Sequence, residues 1–216
     1  MENSDRYTQV REELRQAEIA LKQQREQVAE LRRRLPLETV MEDYELTEAA
    51  GVGTVRTVRL SALFTRPDLP LVVVHFMFGK KQTEPCPMCT LLADGYSGIL
   101  DHLSQCVNFV VAVAGDVVEF ERGARGRGWD GLRVVSSGDT SFKRDLGMED
   151  REGAQMPGVT VLELAEDGSV QHFYTGGAMM GDGHDRGMDL LMPLWNFLDL
   201  TRQGRGEFFP RRAYQP

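Results

Sequence analysis

The sequence contains few cysteines and no long apolar segment. Three of its 216 residues are cysteine, and no apolar run approaches the roughly 18 residues that a membrane span requires. The first residues, MENSDRYTQVREELRQ, include nothing like the apolar part of a secretory signal. We therefore expect a cytoplasmic protein with no membrane partner. In that reducing compartment a low, odd cysteine count favours a catalytic or metal-binding pair over structural disulfides.

The sequence also lacks a positive net charge. Its formal net charge is −8, which argues against a nucleic-acid partner because general nucleic-acid binding depends on a basic face. The P-loop motif GxxxxGK[ST] does not occur, so a P-loop nucleotide is not indicated. A hydrophobic content of 41% with 27% charged residues is typical of a globular protein. The length fits one domain of ordinary size with appendages.

Apolar residues recur at a regular spacing through the N-terminal segment. The spacing alternates between three and four residues and is interrupted only at Gln24; the apolar positions are Tyr7, Val10, Leu14, Ala17, Leu21, Val28, Leu31 and Leu35. This heptad pattern predicts a long helix with a narrow apolar stripe, which Pro36 brings to an end. Two interpretations remain open: the helix packs along its own domain, or it is an arm through which two copies form a homodimer.

Two cysteines separated by two residues stand between a predicted strand and a predicted helix. The apolar run Leu71–Phe78 is typical of a strand buried on both faces, and a helix is predicted from Met88 to about Gln105. Cys86-Pro87-Met88-Cys89 lies at the start of that helix. Unpaired N–H groups and the helix dipole favour a thiolate over a thiol at such a position. A strand followed by a CxxC at a helix start indicates a redox site.

Thiol–disulfide exchange requires that the attacking cysteine ionise near neutral pH. Lys80 and Lys81 are close enough in sequence to add positive charge near the pair. Cys86 would attack a disulfide or an oxidised sulfur on a substrate, and Cys89 would resolve the resulting mixed disulfide. The pattern therefore predicts a redox-active disulfide that needs no cofactor, with an unknown thiol or disulfide substrate and an unknown electron donor.

The rest of the pattern predicts an α/β domain between an arm and a tail. Val107–Ala114 is a second continuous apolar run, so the CxxC belongs to a βαβ unit. Val159–Ala165 and Ser169–Thr175 form a predicted hairpin with an Asp-Gly turn. A last helix is predicted from Asp185 to about Leu200, either kinked by Pro193 or starting later because of it. We predict a helical arm at 1–36, a domain at 37–200 and a tail at 201–216.

Several short motifs resemble those of a known bacterial family. In chain order they are HFMFG at 75–79, CPxC at 86–89, Ala93-Asp94, Gly128-Trp129, Val135-Ser136-Ser137, Pro157-Gly158-Val159 and Leu198-Asp199-Leu200-Thr201. Over nearly its whole length the chain resembles a thioredoxin-like family of unknown function, whose members are labelled predicted dithiol-disulfide oxidoreductases. HFMFG followed by CPxC is the most specific of these matches.

The resemblance implies a thioredoxin-like α/β fold with a central mixed sheet flanked by helices. It also implies a role for each residue of a catalytic set, Cys86, Cys89 and Pro157. Cys86 would be the exposed, attacking thiol and Cys89 the buried, resolving thiol. Pro157 directly precedes the hairpin, where a proline can be cis, and it matches the cis-proline that faces the CxxC in this fold. Met156 before it would contact the substrate or tune the disulfide.

Other substrate contacts are predicted from position and residue type. Phe78 could line an apolar groove beside the site, and Pro87 stiffens the loop between the cysteines. Of the four histidines, His184 in GDGHDRG lies in the most loop-like segment and is the best candidate for chemistry. His75 lies within a predicted strand and is expected to be structural.

Two alternatives use the same cysteines for different chemistry. Cys86 and Cys89 could bind Cu(I) through their thiolates with His184 as a third ligand, in a binding protein for copper or a small ligand that does not turn over a dithiol. The second alternative is a thiol peroxidase, because Thr83 stands three residues before Cys86, as in peroxide-reducing proteins of this fold. Peroxide chemistry would also need an arginine, for which the candidates are Arg133, Arg144 and Arg186.

Overall fold

The computed structural model describes residues 2–37 and 39–214. The chain divides into two compact units, residues 1–37 and 38–216. The first unit contains one helix, α1 (Glu2–Arg33), which confirms the helix predicted from the heptad pattern. The side chains of its apolar stripe are exposed, for example Tyr7 at 71% and Leu21 at 61%, except for that of Val28, which is half-buried.

One mixed sheet dominates the second unit. Within residues 39–214 it has eight strands in the order β1-β8-β7-β4-β5-β6-β2-β3. The strands are β1 (Thr39–Val40), β2 (Glu45–Gly51), β3 (Thr54–Arg59), β4 (Leu71–His75), β5 (Asn108–Val113), β6 (Val134–Ser136), β7 (Gly158–Leu164) and β8 (Val170–Gly177). The pairs β4–β5 and β5–β6 are parallel, and the other neighbours are antiparallel. The predicted βαβ unit and hairpin are confirmed, whereas the two-residue β1 was not predicted.

Helices connect the central strands and cover the sheet. They are α2 (Pro87–Leu103), α3 (Val117–Gly126), α4 (Phe142–Asp145) and α5 (Pro193–Asp199). The last helix starts later than Asp185, because Pro193 takes the first position of α5, where a missing N–H leaves no intrahelical bond unmade. None of the helices in the described residues is both long enough and apolar enough to cross a membrane.

The two faces of the sheet carry separate apolar clusters. All six residues of β5 are buried: Val111 and Val113 belong to a cluster with residues of α2, α3 and α5, whereas Val110 and Ala112 belong to a cluster with Phe142 of α4. Burial on both faces explains why β4 and β5 read as continuous apolar runs.

The segment after β4 brings the chain to the CxxC. Strand β4 ends at His75, earlier than predicted, but residues 76–78 continue alongside the last residues of β5 and the chain that follows it. The Phe76 N–H donates to the Ala112 carbonyl at 2.9 Å, and the Ala114 N–H donates to the Phe78 carbonyl at 3.0 Å. Gly79 then turns with a φ of 97°, and a Cβ atom there would lie 2.1 Å from the Gly115 nitrogen. Only glycine fits at position 79, because the chain there passes so close to Gly115.

Candidate active site

The CxxC occupies the first turn of α2. Cys86 is the N-cap residue and Pro87 follows it as the first helical residue. The Cys86 N–H donates to the Met77 carbonyl at 3.2 Å. The Cys86 carbonyl accepts from the N–H and from the Oγ1 of Thr90, each at 2.9 Å. These bonds tie the start of α2 to the segment that follows β4.

Both cysteines of the pair are free thiols and both are buried. Cys86 is 7% exposed and Cys89 is 3% exposed. The prediction of an exposed Cys86 is therefore wrong. The reason is that the extended segment after β4 brings Phe76 and Phe78 into the same apolar cluster as the two cysteines.

The environment of the pair separates the acidities of the two thiols. The Cys89 thiol and the backbone N–H groups of Cys89 and Met88 lie beside the Cys86 sulfur, where they stabilise its thiolate. Together they lower the pKa of Cys86 to about 6 despite burial. The neighbouring Cys86 sulfur and burial raise the pKa of Cys89, whereas the Met77 N–H and the charge of Lys143 lower it. The pair is thus arranged to hold one proton, on Cys89, and one thiolate, on Cys86.

The cations predicted to assist the thiolate are not the ones that face the pair. Lys80 forms an ion pair with Glu149 at 2.6 Å, and Lys81 is exposed. The cation facing Cys89 is Lys143, which the sequence reasoning missed. It lies in the short polar segment SFKRD, where no apolar pattern indicates burial.

Lys143 lies in a buried polar cluster. Its Nζ donates to the Phe76 carbonyl at 3.1 Å and to Gln155 Oε1 at 2.7 Å. Gln155 in turn donates through Nε2 to the Gly79 carbonyl at 2.7 Å. Burial lowers the pKa of Lys143 to about 8, so the side chain is still mainly protonated at neutral pH.

His75 is structural, as expected from its place in a strand. It is 1% exposed, and its Nε2 is 2.9 Å from Thr160 Oγ1 on the neighbouring strand β7. Burial, together with the charge of Lys143, lowers the pKa of His75 well below its usual value. The imidazole is therefore neutral at physiological pH.

Pro157 lies at the end of the sheet where β4 finishes and the chain continues to the CxxC. Gly158 pairs with His75 in the antiparallel register of β7 and β4, so Pro157 comes level with the segment after β4. No peptide bond among the described residues is cis, and the prediction of a cis Pro157 is wrong. The Met156 N–H donates to the Met148 carbonyl at 3.0 Å, and the Met156 side chain is 42% exposed.

The other predicted substrate contacts are spread over different surroundings. Phe78 is buried but lines a cavity of about 320 Å³ beside the first turn of α2, together with Pro85, Thr90 and Trp129. Pro87 is half-buried, and His184 is exposed in the loop between β8 and α5.

The residues of the two alternative chemistries are not assembled. Among the described residues no three His, Cys, Asp or Glu side chains come together to hold a metal ion, so the copper set Cys86, Cys89 and His184 is not formed. Of the arginines considered for peroxide chemistry, Arg133 pairs with Glu48 and Arg186 pairs with Asp189, while Arg144 and Thr83 are exposed.

Two of the short sequence motifs, Ala93-Asp94 in α2 and Gly128-Trp129 after α3, contact each other. Asp94 of α2 accepts hydrogen bonds from Trp129 Nε1 and from Arg127 Nη2, both at 2.7 Å. The Asp94 motif and the Trp129 motif are therefore two halves of one contact, which fixes α2 against the chain that follows α3.

The fold and the site define a thioredoxin-like α/β protein with a CxxC at the start of its first crossover helix. The chain belongs to a family described as "Bacterial protein of unknown function (DUF899)", which matches residues 1–215. No curated protein is significantly similar in sequence.

Solved structures similar to this chain include peroxiredoxins. One is a Cys-to-Ser mutant of peroxiredoxin Q from Xanthomonas campestris, with a TM-score of 0.50 and 16% identity, covering 76% of this chain and 96% of that chain. Another is the mitochondrial 2-Cys peroxiredoxin from Plasmodium falciparum, with a TM-score of 0.50 and 10% identity, covering 76% of this chain and 95% of that one. At such identities the similarity concerns the fold.

Proposed function

We propose that this protein is a cytoplasmic thiol–disulfide oxidoreductase that uses Cys86 and Cys89 as a reversible dithiol/disulfide. The observation that carries the proposal is the placement of the pair, with Cys86 as the N-cap of α2 and Cys89 in the first turn of the same helix. The Cys89 thiol and the backbone N–H groups of Cys89 and Met88 beside the Cys86 sulfur lower the pKa of Cys86 to about 6. A thiolate at neutral pH with a second thiol in contact is what disulfide exchange requires.

The reaction follows from this arrangement. The Cys86 thiolate attacks one sulfur of a substrate disulfide, and the other substrate sulfur leaves as a thiolate and takes up a proton. Cys89 then loses its proton and attacks Cys86, which releases the second substrate sulfur and forms the Cys86–Cys89 disulfide. Two electrons have passed from the cysteines to the substrate, and an electron donor must reduce the disulfide again.

The surroundings of the pair suggest where the substrate lies. In this proposal the cavity beside the first turn of α2, lined in part by Phe78, Pro85 and Thr90, receives the group attached to the attacked sulfur. Exposed Met156 and the adjoining Pro157 provide the opposite wall. His184 would contribute only to a large substrate.

A thiol peroxidase is the weaker alternative within the same fold. The peroxiredoxins that share the fold raise this possibility, and the Cys86 thiolate is suited to it. The arginines considered for peroxide chemistry are paired with carboxylates or exposed, which is why we favour a disulfide substrate.

The proposal is tested by the redox state of the pair. The protein is equilibrated in glutathione buffers of graded potential, quenched in acid, alkylated and weighed. We expect Cys86 and Cys89 to gain or lose two electrons together, and the Cys106→Ser variant, which removes the exposed third cysteine, to behave identically. With a disulfide substrate, Cys89→Ser should accumulate the mixed disulfide and Cys86→Ser should not.

Two results would contradict the proposal. One is a pair that stays reduced over the whole range of potentials. The other is equal trapping of the mixed disulfide by both serine variants, which would remove the distinction between an attacking and a resolving thiol.

A further inference from the structure

Lys143 is a buried cation whose position the packing alone does not explain. Its side chain is 1% exposed although it lies in the four-residue helix α4. Burying an ammonium group is costly unless hydrogen-bond acceptors and a nearby negative charge compensate for the lost hydration. Two acceptors are present, the Phe76 carbonyl and Gln155 Oε1.

One peptide group joins Lys143 to Cys89. Lys143 Nζ donates to the Phe76 carbonyl at 3.1 Å, and the N–H of the next residue, Met77, lies near the Cys89 thiol and lowers its pKa. The carbonyl of Phe76 and the N–H of Met77 belong to the same planar peptide, in which they point in opposite directions. The ammonium group and the sulfur therefore lie at the two ends of one peptide dipole.

We propose that Lys143 is a positioning residue for the second step of the dithiol reaction: its ammonium group polarises the Phe76–Met77 peptide and so stabilises the Cys89 thiolate that attacks the mixed disulfide. The inference rests on the proposed function of the CxxC, because it concerns the step in which Cys89 reacts. Hydrogen bonds that share one polarised group strengthen one another in a buried environment.

The second step is where this effect counts. In the reduced protein the Cys86 thiolate raises the pKa of the neighbouring Cys89 thiol. That thiolate no longer exists once Cys86 is bonded to a substrate sulfur. Burial then keeps the proton on Cys89, and the Met77 N–H and Lys143 oppose it. When Cys89 loses its proton to solvent, its thiolate bonds to Cys86, the bond from Cys86 to the substrate breaks, and the departing thiolate takes up a proton.

The other charges around Lys143 leave it without a dedicated counter-ion. Glu149 and Lys80 face it from the chain after α4 and the chain after β4, but they pair with each other at 2.6 Å. His75 faces it from β4 and is neutral. Tyr96 faces Cys89 from the same helix, and both burial and Cys89 raise the pKa of its hydroxyl, so it stays neutral. Glu149 therefore stabilises the charge of Lys143 only in part, and a Cys89 thiolate formed in the second step is the further negative charge that Lys143 faces.

The test separates the two steps with dithiobis(nitrobenzoate) as the disulfide. Attack by Cys86 releases one coloured thiolate, and resolution by Cys89 releases a second. The protein carries Cys106→Ser so that the exposed cysteine does not react. We expect Lys143→Met and Lys143→Gln to leave the first release unchanged and to shift the pH midpoint of the second release upward by about one unit. Since a less acidic thiol is also more nucleophilic, the second release at neutral pH should slow only about three-fold.

Matched variants distinguish charge from structure. Lys143→Arg keeps the charge and should restore the pH midpoint. Arg144→Met removes the exposed neighbouring cation and should change neither release. Lys143→Gln can still donate to the Phe76 carbonyl, so it preserves the local structure if Lys143→Met does not fold.

The outcomes separate the two proposals. An unchanged pH midpoint for the second release in Lys143→Gln overturns the inference about Lys143, as does equal slowing by Lys143→Arg and Lys143→Gln. If the protein with Lys143 intact releases the first coloured thiolate from the reagent but never the second, or releases neither, the proposed dithiol function fails instead. This conclusion does not depend on the Lys143 variants.

Discussion

At the scale of single residues, the two thiols of the CxxC differ in acidity although both are buried. Cys86 is the N-cap of α2, where the Cys89 thiol and two backbone N–H groups lower its pKa, whereas Cys89 lies deeper. The acidity of Cys86 thus comes from donors aimed at its sulfur and not from exposure to water. A sequence shows which cysteine begins the helix, but it does not show how far either is covered.

The acidity of Cys86 predicts its rate of alkylation as a function of pH. The pKa of Cys86 is lowered to about 6, so in a Cys106→Ser background its reaction with iodoacetamide should reach half its maximum near pH 6. Cys89→Ala removes the largest cause of the shift, the S–H donor, while the two backbone donors remain. The midpoint should therefore rise in that variant, as followed by mass spectrometry over a pH series. An identical midpoint in both proteins would show that the S–H bond does not set the acidity.

At the scale of elements, the site depends on the segment between β4 and α2. Residues 76–78 run alongside the end of β5, accept hydrogen bonds from Cys86 and Lys143, and place the Met77 N–H near the Cys89 thiol. Gly79 ends this segment and receives a hydrogen bond from Gln155. The motif HFMFG is thus a backbone scaffold for both cysteines.

Substitution of Gly79 should destabilise this scaffold. Gly79→Ala would place a Cβ atom 2.1 Å from the Gly115 nitrogen at a φ of 97°, and the combined overlap and backbone strain should cost about 3 kcal/mol or more. Gly53→Ala is the matched control, because Gly53 has a φ of 70° with no atom within 4 Å of the added Cβ. Its cost should be about 1 kcal/mol.

Urea denaturation of both glycine variants measures the difference. If the two variants lose the same free energy of unfolding, the close approach of Gly79 to Gly115 carries no energetic weight. The Gly79 variant should also slow the reaction of Cys86, because the Met77 carbonyl, which accepts a hydrogen bond from the Cys86 N–H, lies two residues before Gly79.

At the scale of the whole molecule, α1 is a helix with an exposed apolar stripe in the unit formed by residues 1–37. Its period is that of helices that pair with one another. The homodimer inferred from this pattern stays a prediction, and the occupant of the stripe would be the same helix of a second copy.

A single charge on either face of α1 tests the homodimer. Leu21→Glu places a carboxylate in the stripe, where Leu21 is 61% exposed, and two such charges would face each other across a dimer. Gln23→Glu introduces the same side chain about 200° further around the helix. Sedimentation should give a monomer for Leu21→Glu and for deletion of residues 1–35, but the dimer mass for Gln23→Glu. A mass that Leu21→Glu leaves unchanged would discard the arm.

Some features of this protein were determined by the sequence alone. The heptad spacing before Pro36, the apolar runs of β4 and β5, the Asp-Gly hairpin and the CxxC at a helix start each depend on neighbours within a few residues. Spacing, turn chemistry and helix capping are local, so they can be read without the fold.

Other features were decided only by the tertiary structure. The burial of Cys86, the trans peptide at Pro157 and the position of Lys143 next to the Phe76 carbonyl depend on chain segments that lie far apart in sequence. Burial and acidity are set by everything packed around a group, whichever part of the chain supplies it. That is why the sequence identifies the two thiols, whereas the cation that faces the second one emerges only from the packing of α4 beneath the sheet.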